Sequence, residues 1–199
     1  MIIKKRFDAE LIRILKHGGI GVLKTDTIYG LVGSALNSKT VARIYKLRHR
    51  HPGKPMIVLI GSVGDLRRFS IKINSKTKKI LNKFWPGKIS IILPCPYKKF
   101  SYLHRGAKTL AFRLPAKKTL LGLLKKTGPL VAPSVNPEAL LPARSIREAK
   151  KYFGDKVDFY VDGGNAFGKP SALIEIKNDN IIVKRKGDAL RWLIGPAQG

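Results

Sequence analysis

Residues 20–31 read Ile20-Gly21-Val22-Leu23-Lys24-Thr25-Asp26-Thr27-Ile28-Tyr29-Gly30-Leu31. The first four form a short apolar run suited to a buried strand. The run breaks at once into hydroxyls, a carboxylate and a glycine. In α/β proteins such breaks mark the strand ends where ligands bind. Gly30 permits close backbone approach or a positive φ. The same stretch also reads as a plain strand-to-helix turn with Asp26 as a cap.

The pattern on either side fits an α/β class. Upstream, Asp8 caps a helix with Leu11, Ile12 and Leu15 on one face, stopped by Gly18-Gly19. Downstream, Ser38 caps a second helix whose shared face carries Val41, Ile44, Tyr45 and Leu47. Strands are predicted at 56–60, 89–93, 109–114, 130–132, 159–161, 172–176 and 181–184. Helices are predicted at 66–69, 75–84, 117–126 and 145–153, with a last helical turn at 188–193. The elements interleave, which gives the α/β class. The strand run at 159–184 makes part of the sheet mixed or antiparallel. No repeat, low-complexity tract or linker divides residues 1–199, so one domain is expected.

Charge narrows the partners. Forty Lys+Arg against twelve Asp+Glu give +28 in 199 residues. That excess attracts polyanions: nucleic acid, nucleotides or an anionic membrane. A membrane span is not expected, because no stretch of about 18 apolar residues occurs. The basic start, 1–6, has no apolar segment behind it, so no signal peptide and a cytoplasmic location are expected. Cys95, between Pro94 and Pro96, is the only cysteine and is expected to be a small buried residue. The four His are scattered with no Cys beside them, so no protein-held metal is expected.

Four further segments place polar groups at strand ends. Arg48-His49-Arg50-His51-Pro52-Gly53-Lys54-Pro55 gathers three permanent cations without the glycine spacing of a P-loop. Thr109-Leu110-Ala111-Phe112-Arg113-Leu114-Pro115 puts an arginine inside an apolar strand, which is costly unless it meets an anion or a cleft. Residues 133–137, Pro-Ser-Val-Asn-Pro, fence Ser134 and Asn136 rigidly between prolines. Asp162-Gly163-Gly164, Gly168-Lys169-Pro170-Ser171 and Arg185-Lys186-Gly187 offer backbone N–H groups that can cradle an anion. Each also reads as ordinary turn or solvated-loop chemistry. Together they describe a cleft of cations and small hydroxyls, suited to positioning a phosphate electrostatically.

In order, these segments resemble the YrdC family of threonylcarbamoyl-AMP synthases over residues 11–189. The resemblance rests on T-D-T-I-Y-G-L at 25–31, R-H-R with K-P at 48–55, F-W-P-G at 84–87, A-F-R-L-P at 111–115, P-S-V-N-P at 133–137, V-D-G-G at 161–164 and K-P-S-A at 169–172. It implies a twisted mixed α/β sheet with flanking helices around a large basic concave cleft. It also implies a nucleotidyltransferase that makes threonylcarbamoyl-AMP and pyrophosphate from L-threonine, bicarbonate and ATP with Mg²⁺. A partner transferase complex would then modify tRNA, and direct contact of this chain with tRNA or other RNA stays open.

Carried over by position, Thr25, Arg113, Ser134 and Ser171 would bind threonine. Arg48, Arg50, Lys54, Thr109, Asn136, Arg144 and Arg185 would bind ATP, the first three holding its phosphates or the carboxylate. Ser134 and Asn136 would sit at the reacting centre. The chain departs from the family pattern at Arg48, where Lys is usual. Val135 stands for Ala and would add bulk beside the ligand. Glu138-Ala139 replaces Ser-Gly, and Ala172 replaces Thr. A non-catalytic RNA-binding or ribosome-assembly protein using the same cleft is the alternative.

Overall fold

A computed structural model describes residues 2–177 and 180–190. Its strands are β1 (Ile2–Lys4), β2 (Ile20–Lys24), β3 (Tyr29–Ser34), β4 (Val58–Leu59), β5 (Ile89–Pro94), β6 (Thr109–Arg113), β7 (Leu130–Val131), β8 (Phe159–Val161), β9 (Ala172–Lys177) and β10 (Asn180–Arg185). Its α-helices are α1 (Ala9–Lys16), α2 (Ser38–Leu47), α3 (Ser75–Phe84), α4 (Ser101–His104), α5 (Lys118–Thr127) and α6 (Ile146–Phe153). The strands form one sheet in the order β1-β8-β2-β3-β7-β4-β6-β5-β9-β10. Parallel pairs (β1–β8, β2–β8, β4–β6, β5–β9) mix with antiparallel ones (β2–β3, β3–β7, β4–β7, β5–β6, β9–β10), as the strand run at 159–184 implied.

Local chemistry explains where elements begin. Asp8 caps α1, accepting from the Leu11 amide at 2.9 Å, and Ser145 caps α6 through the Glu148 amide at 3.2 Å. α1 ends where Gly18 takes a φ of 85°, and it buries Leu11 and Leu15, each worth on the order of 2 kcal/mol. α2 starts differently from the sequence reading. Its cap is Asn37, whose Oδ1 accepts from the Thr40 amide at 3.1 Å, and Ser38 is the first helical residue.

Two strands were absent from the sequence reading. β1 is three residues long and finds its partner only in β8. β3 turns the 25–31 segment into half of a hairpin: Lys24 opposes Tyr29, and Ile20 opposes Gly33. Gly33 has no room for a side chain, since a Cβ there would lie 2.5 Å from Thr40 Cγ2. The predicted helix at 66–69 is the end of a 3-10 helix, Val63–Phe69. The turn predicted at 188–193 begins as a 3-10 turn, Asp188–Leu190, and its remainder lies outside the described residues.

Strand alternation sorts the core onto two faces. Val22, Tyr29, Leu31 and Val58 point into the larger cluster with residues of α2, α3 and α6. Leu23, Val32 and Leu59 point the other way, against Leu11 and Leu15 of α1 and Leu120, Leu123 and Leu124 of α5. Cys95 is buried and free, its thiol 3.7 Å from the Phe69 carbonyl. Among the described residues no helix is long and apolar enough to cross a membrane.

Candidate active site

Most of the segments singled out in the sequence converge on one cleft of about 370 Å³, while Asp162 and Gly163 line a separate pocket. Thr25, Arg48, Arg50, Thr109, Arg113, Ser134, Ser171 and Arg185 all line it. The apolar walls include Met56, Ile57, Ile92, Ala111 and Ala132. Thr109, Ala111 and Arg113 alternate along β6, so the period-2 rule puts all three on the cleft face.

Arg48 is the most constrained cation. It is 3% exposed at the end of α2. Its Nε donates to the Asn136 carbonyl at 2.8 Å, and its Nη2 donates to Asn136 Oδ1 at 3.1 Å and Ser134 Oγ at 3.3 Å. Nη1 is buried without a hydrogen-bond partner. Burial, and then the charge of Arg50, push the guanidinium down to about 10. A buried donor on a cation with no acceptor is costly unless an anion completes it.

Beside it, Arg50 is held over the 51–55 turn, donating to the Lys54 carbonyl at 3.0 Å and the Pro55 carbonyl at 2.9 Å. Arg185 donates to the Ser171 carbonyl at 3.1 Å, while Ser171 Oγ meets Ser90 Oγ at 2.9 Å. Thr25 closes the β2–β3 turn: its hydroxyl donates to the Ile28 carbonyl at 2.7 Å and accepts from the Thr27 amide at 3.1 Å. The Thr27 hydroxyl, 3.1 Å from the Thr25 hydroxyl oxygen, takes up its second lone pair, so the Thr25 methyl is what it can offer a ligand.

Arg113 faces a partner that the sequence reading cast only as a cap. Asp26 Oδ1 lies 3.1 Å from Arg113 Nη2, both side chains being 5% exposed. Burial lowers the Arg113 pKa, opposed by the charge of Asp26. Tyr29 was likewise missed. Its hydroxyl donates to the Gly164 carbonyl at 2.7 Å and accepts from the Gly163 amide at 3.0 Å, fixing the Asp162-Gly163-Gly164 loop against the hairpin.

Three expected residues do not line the cleft. Asn136 stands behind Arg48, its amide nitrogen donating to the Pro137 and Leu140 carbonyls at 2.9 and 2.7 Å. Lys54 is turned to Glu138, whose carboxylate pairs with its amine and accepts from the His51 amide. Those bonds, the Lys54 contact first, hold the Glu138 carboxyl down at about 2. Arg144 is exposed on the segment leading to α6. Val135 also departs from expectation: it is fully buried in the core, on the side of the strand end away from the cleft. Ala172 is buried there too, so the missing hydroxyl leaves the cleft wall unchanged.

The chain is similar to known proteins over most of its length. A Bacillus subtilis threonylcarbamoyl-AMP synthase is 28% identical over 195 residues, covering 94% of this chain and 56% of that protein. A putative threonylcarbamoyl-AMP synthase of Methanocaldococcus jannaschii is 32% identical over 173 residues, covering 86% and 81%. The structure of P. abyssi Sua5 complexed with L-threonine superposes with a TM-score of 0.83 at 26% identity, over 98% of this chain and 61% of that one. The chain thus spans little more than half of the Bacillus and P. abyssi proteins. The family model for Sua5, YciO and YrdC, described as telomere recombination, matches residues 13–187. With its motifs in sequence order, its ten-stranded mixed sheet and a match over nearly all its length, the chain belongs to the Sua5/YciO/YrdC family.

Proposed function

We propose that this chain is an L-threonylcarbamoyladenylate synthase, a nucleotidyltransferase acting in tRNA modification in the cytoplasm. The observation that carries this reading is the buried, unpartnered Nη1 of Arg48, set in a cleft with Arg50, Arg113 and Arg185 and the hydroxyls of Ser134 and Ser171. Such a cleft matches a substrate set whose charge lies in a triphosphate and two carboxylates. The relatives' names and the threonine complex of P. abyssi Sua5 point the same way.

In the reaction, the threonine amine takes up bicarbonate with loss of water to form an N-carboxylate. A carboxylate oxygen then bonds to the α-phosphorus of ATP, and the bond to the departing pyrophosphate breaks. The protein's work is positional and electrostatic. Arg48 is already oriented by Asn136 and so pays little reorganisation when it meets the forming or leaving anion. Arg50 and Arg185 flank it as phosphate partners. Arg113 holds the threonine carboxylate while Asp26 keeps its head group in place. Ser134 hydrogen-bonds at the reacting centre, and Asn136 acts there through Arg48. Arg144 contributes charge from outside the wall, and Lys54 would do so once a phosphate draws it from Glu138. Mg²⁺ would arrive with ATP as its counter-ion and would offset the phosphate charge during transfer.

The test is pyrophosphate release from purified protein with ATP, Mg²⁺, threonine and bicarbonate, each omitted in turn. Release that needs all four supports the proposal. Release independent of threonine, or none from protein that binds ATP, would overturn it and favour the non-catalytic RNA-binding reading.

A further inference from the structure

A second pocket, of about 390 Å³, shares no lining residue with the cleft. It opens at the carboxyl ends of three neighbouring strands. β1 and β2 both run parallel to β8, which places Lys4, Val161 and the end of β2 side by side. That end of an α/β sheet is where crevices bind ligands. Lys24 and Thr25 are consecutive, yet Lys24 lines this pocket and Thr25 lines the cleft.

Its lining has a definite chemistry. Lys5, Arg6, Lys24, Lys117 and Lys126 supply five cations against one carboxylate, Asp162. Asp162 is already engaged, accepting from the Gly164 amide at 2.9 Å. No ion pair reaches Lys5, Arg6, Lys117 or Lys126 among the described residues. Lys117 has only a 3.5 Å contact to the Lys24 carbonyl, and burial and the Lys24 charge lower its pKa. Between these cations lies an apolar floor of Phe7, Ile12, Leu123 and Val161. Like charges on a solvated convex face separate freely. Here a concave wall holds them together, which focuses a positive potential into a volume typical of small-molecule sites.

We propose that this pocket binds a small organic phosphate bearing an apolar ring or chain, with the lysines around the phosphate and the non-polar body on the Phe7–Leu123 floor. Lysine suits a phosphate as a mobile point charge, and the floor selects for an organic body. The occupied pocket would touch the Lys24–Thr25 step, and with it the turn that shapes the cleft.

The probe is phenyl phosphate, titrated by calorimetry into the whole chain. Binding at this pocket is expected in the wild type and should persist in Arg48→Ala, which weakens only the phosphate binding of the cleft. Lys117→Glu/Lys126→Glu should bind at least tenfold more weakly, and inorganic phosphate more weakly than phenyl phosphate in all three. If the charge-reversed pair does not fold, Lys117→Gln/Lys126→Gln with an unchanged unfolding midpoint should still lose several-fold. Unchanged affinity in the lysine variants, or loss of all binding in Arg48→Ala, would overturn the proposal. So would inorganic phosphate binding as tightly as phenyl phosphate, which leaves the floor no role. Sedimentation with phosphatidylglycerol vesicles that depends on Lys117 and Lys126 would overturn it in favour of a membrane surface.

Discussion

Replacing Asp26 by Asn removes the counter-charge of Arg113 while leaving the shape of the site nearly intact. Both side chains are 5% exposed and 3.1 Å apart at Asp26 Oδ1 and Arg113 Nη2. Neither Asp26 oxygen nor Arg113 Nε has a directed hydrogen bond, so the contact is held by charge alone. Unit charges at that separation attract by about 5 kcal/mol at an effective dielectric of about 20. Stripping one partner from a buried pair costs about 3–5 kcal/mol, because the other stays buried and uncompensated. Arg185 adds to the loss by repelling Arg113. With an m-value of about 2–3 kcal/mol/M, the urea midpoint should fall by about 1–2 M, read by tryptophan fluorescence. Asp26→Asn/Arg113→Met removes the orphan charge and should recover more than half of that loss. Inorganic pyrophosphate should raise the midpoint of Asp26→Asn more than that of wild type, by supplying the missing negative charge. A single variant within about 0.5 kcal/mol of wild type would refute the reasoning, since that is the scale of an ordinary surface change.

Glu138→Gln should flatten the acid limb of the stability curve. The folded carboxyl titrates near 2 against an ordinary 4.5, so its stabilisation is full above 4.5 and disappears as pH falls toward 2. Unfolding midpoints from pH 6 to pH 2 measure the difference, and parallel curves for the two proteins would count against the Lys54–Glu138 contact. Gly21→Ala puts a Cβ 2.4 Å from the Phe159 ring, which is fully buried. Overpacking of that kind should cost about 2–3 kcal/mol and lower Tm by roughly 5–10 °C, visible by calorimetry. Asn136→Ala loses the Oδ1 bond to Arg48, and a hydrogen bond to a charged group is worth about 1.5–3 kcal/mol. Tm should fall by roughly 3–10 °C with the chain still folded at 25 °C, pyrophosphate release should drop about 10- to 100-fold, and a wild-type rate would remove Asn136 from its place behind Arg48.

Much of this fold was legible because its signals are local. Asp8 is a cap residue with an apolar face behind it and caps as read, while Ser145, read as the first residue of a helix, is its cap. Asn37 and Ser38 are two good caps in a row, and only the register of α2 on the sheet chooses between them. The β2–β3 hairpin was hidden because Thr25-Asp26-Thr27-Ile28 lacks the Asn-Gly type of turn signal, while Gly30 and Gly33 dilute the strand pattern of β3. β1 is three residues whose reason to be extended lies in β8. At the site, alternation on β6 makes Thr109 and Arg113 neighbours on one face, a relation that sequence carries. The directions of Lys54 and Asn136 depend on Glu138 and Arg48, more than 80 residues away in each case. No local pattern encodes such a pairing.

The pairing of β1 with β8 also constrains how the chain is made. Ile2 has to wait for its partner Phe159, which lies far downstream in the chain. At about 5–20 residues per second, that interval is about 8–30 s. Through it, one rim of β2 has no neighbour, because β8 also fills the space between β1 and β2. The α1–β2–β3 segment can assemble early from contacts near in sequence, whereas closure of the sheet at this rim waits for β8. During that wait the many lysines and arginines of the chain keep unfinished copies apart by mutual repulsion, a service to the nascent protein that is independent of anything the finished cleft binds.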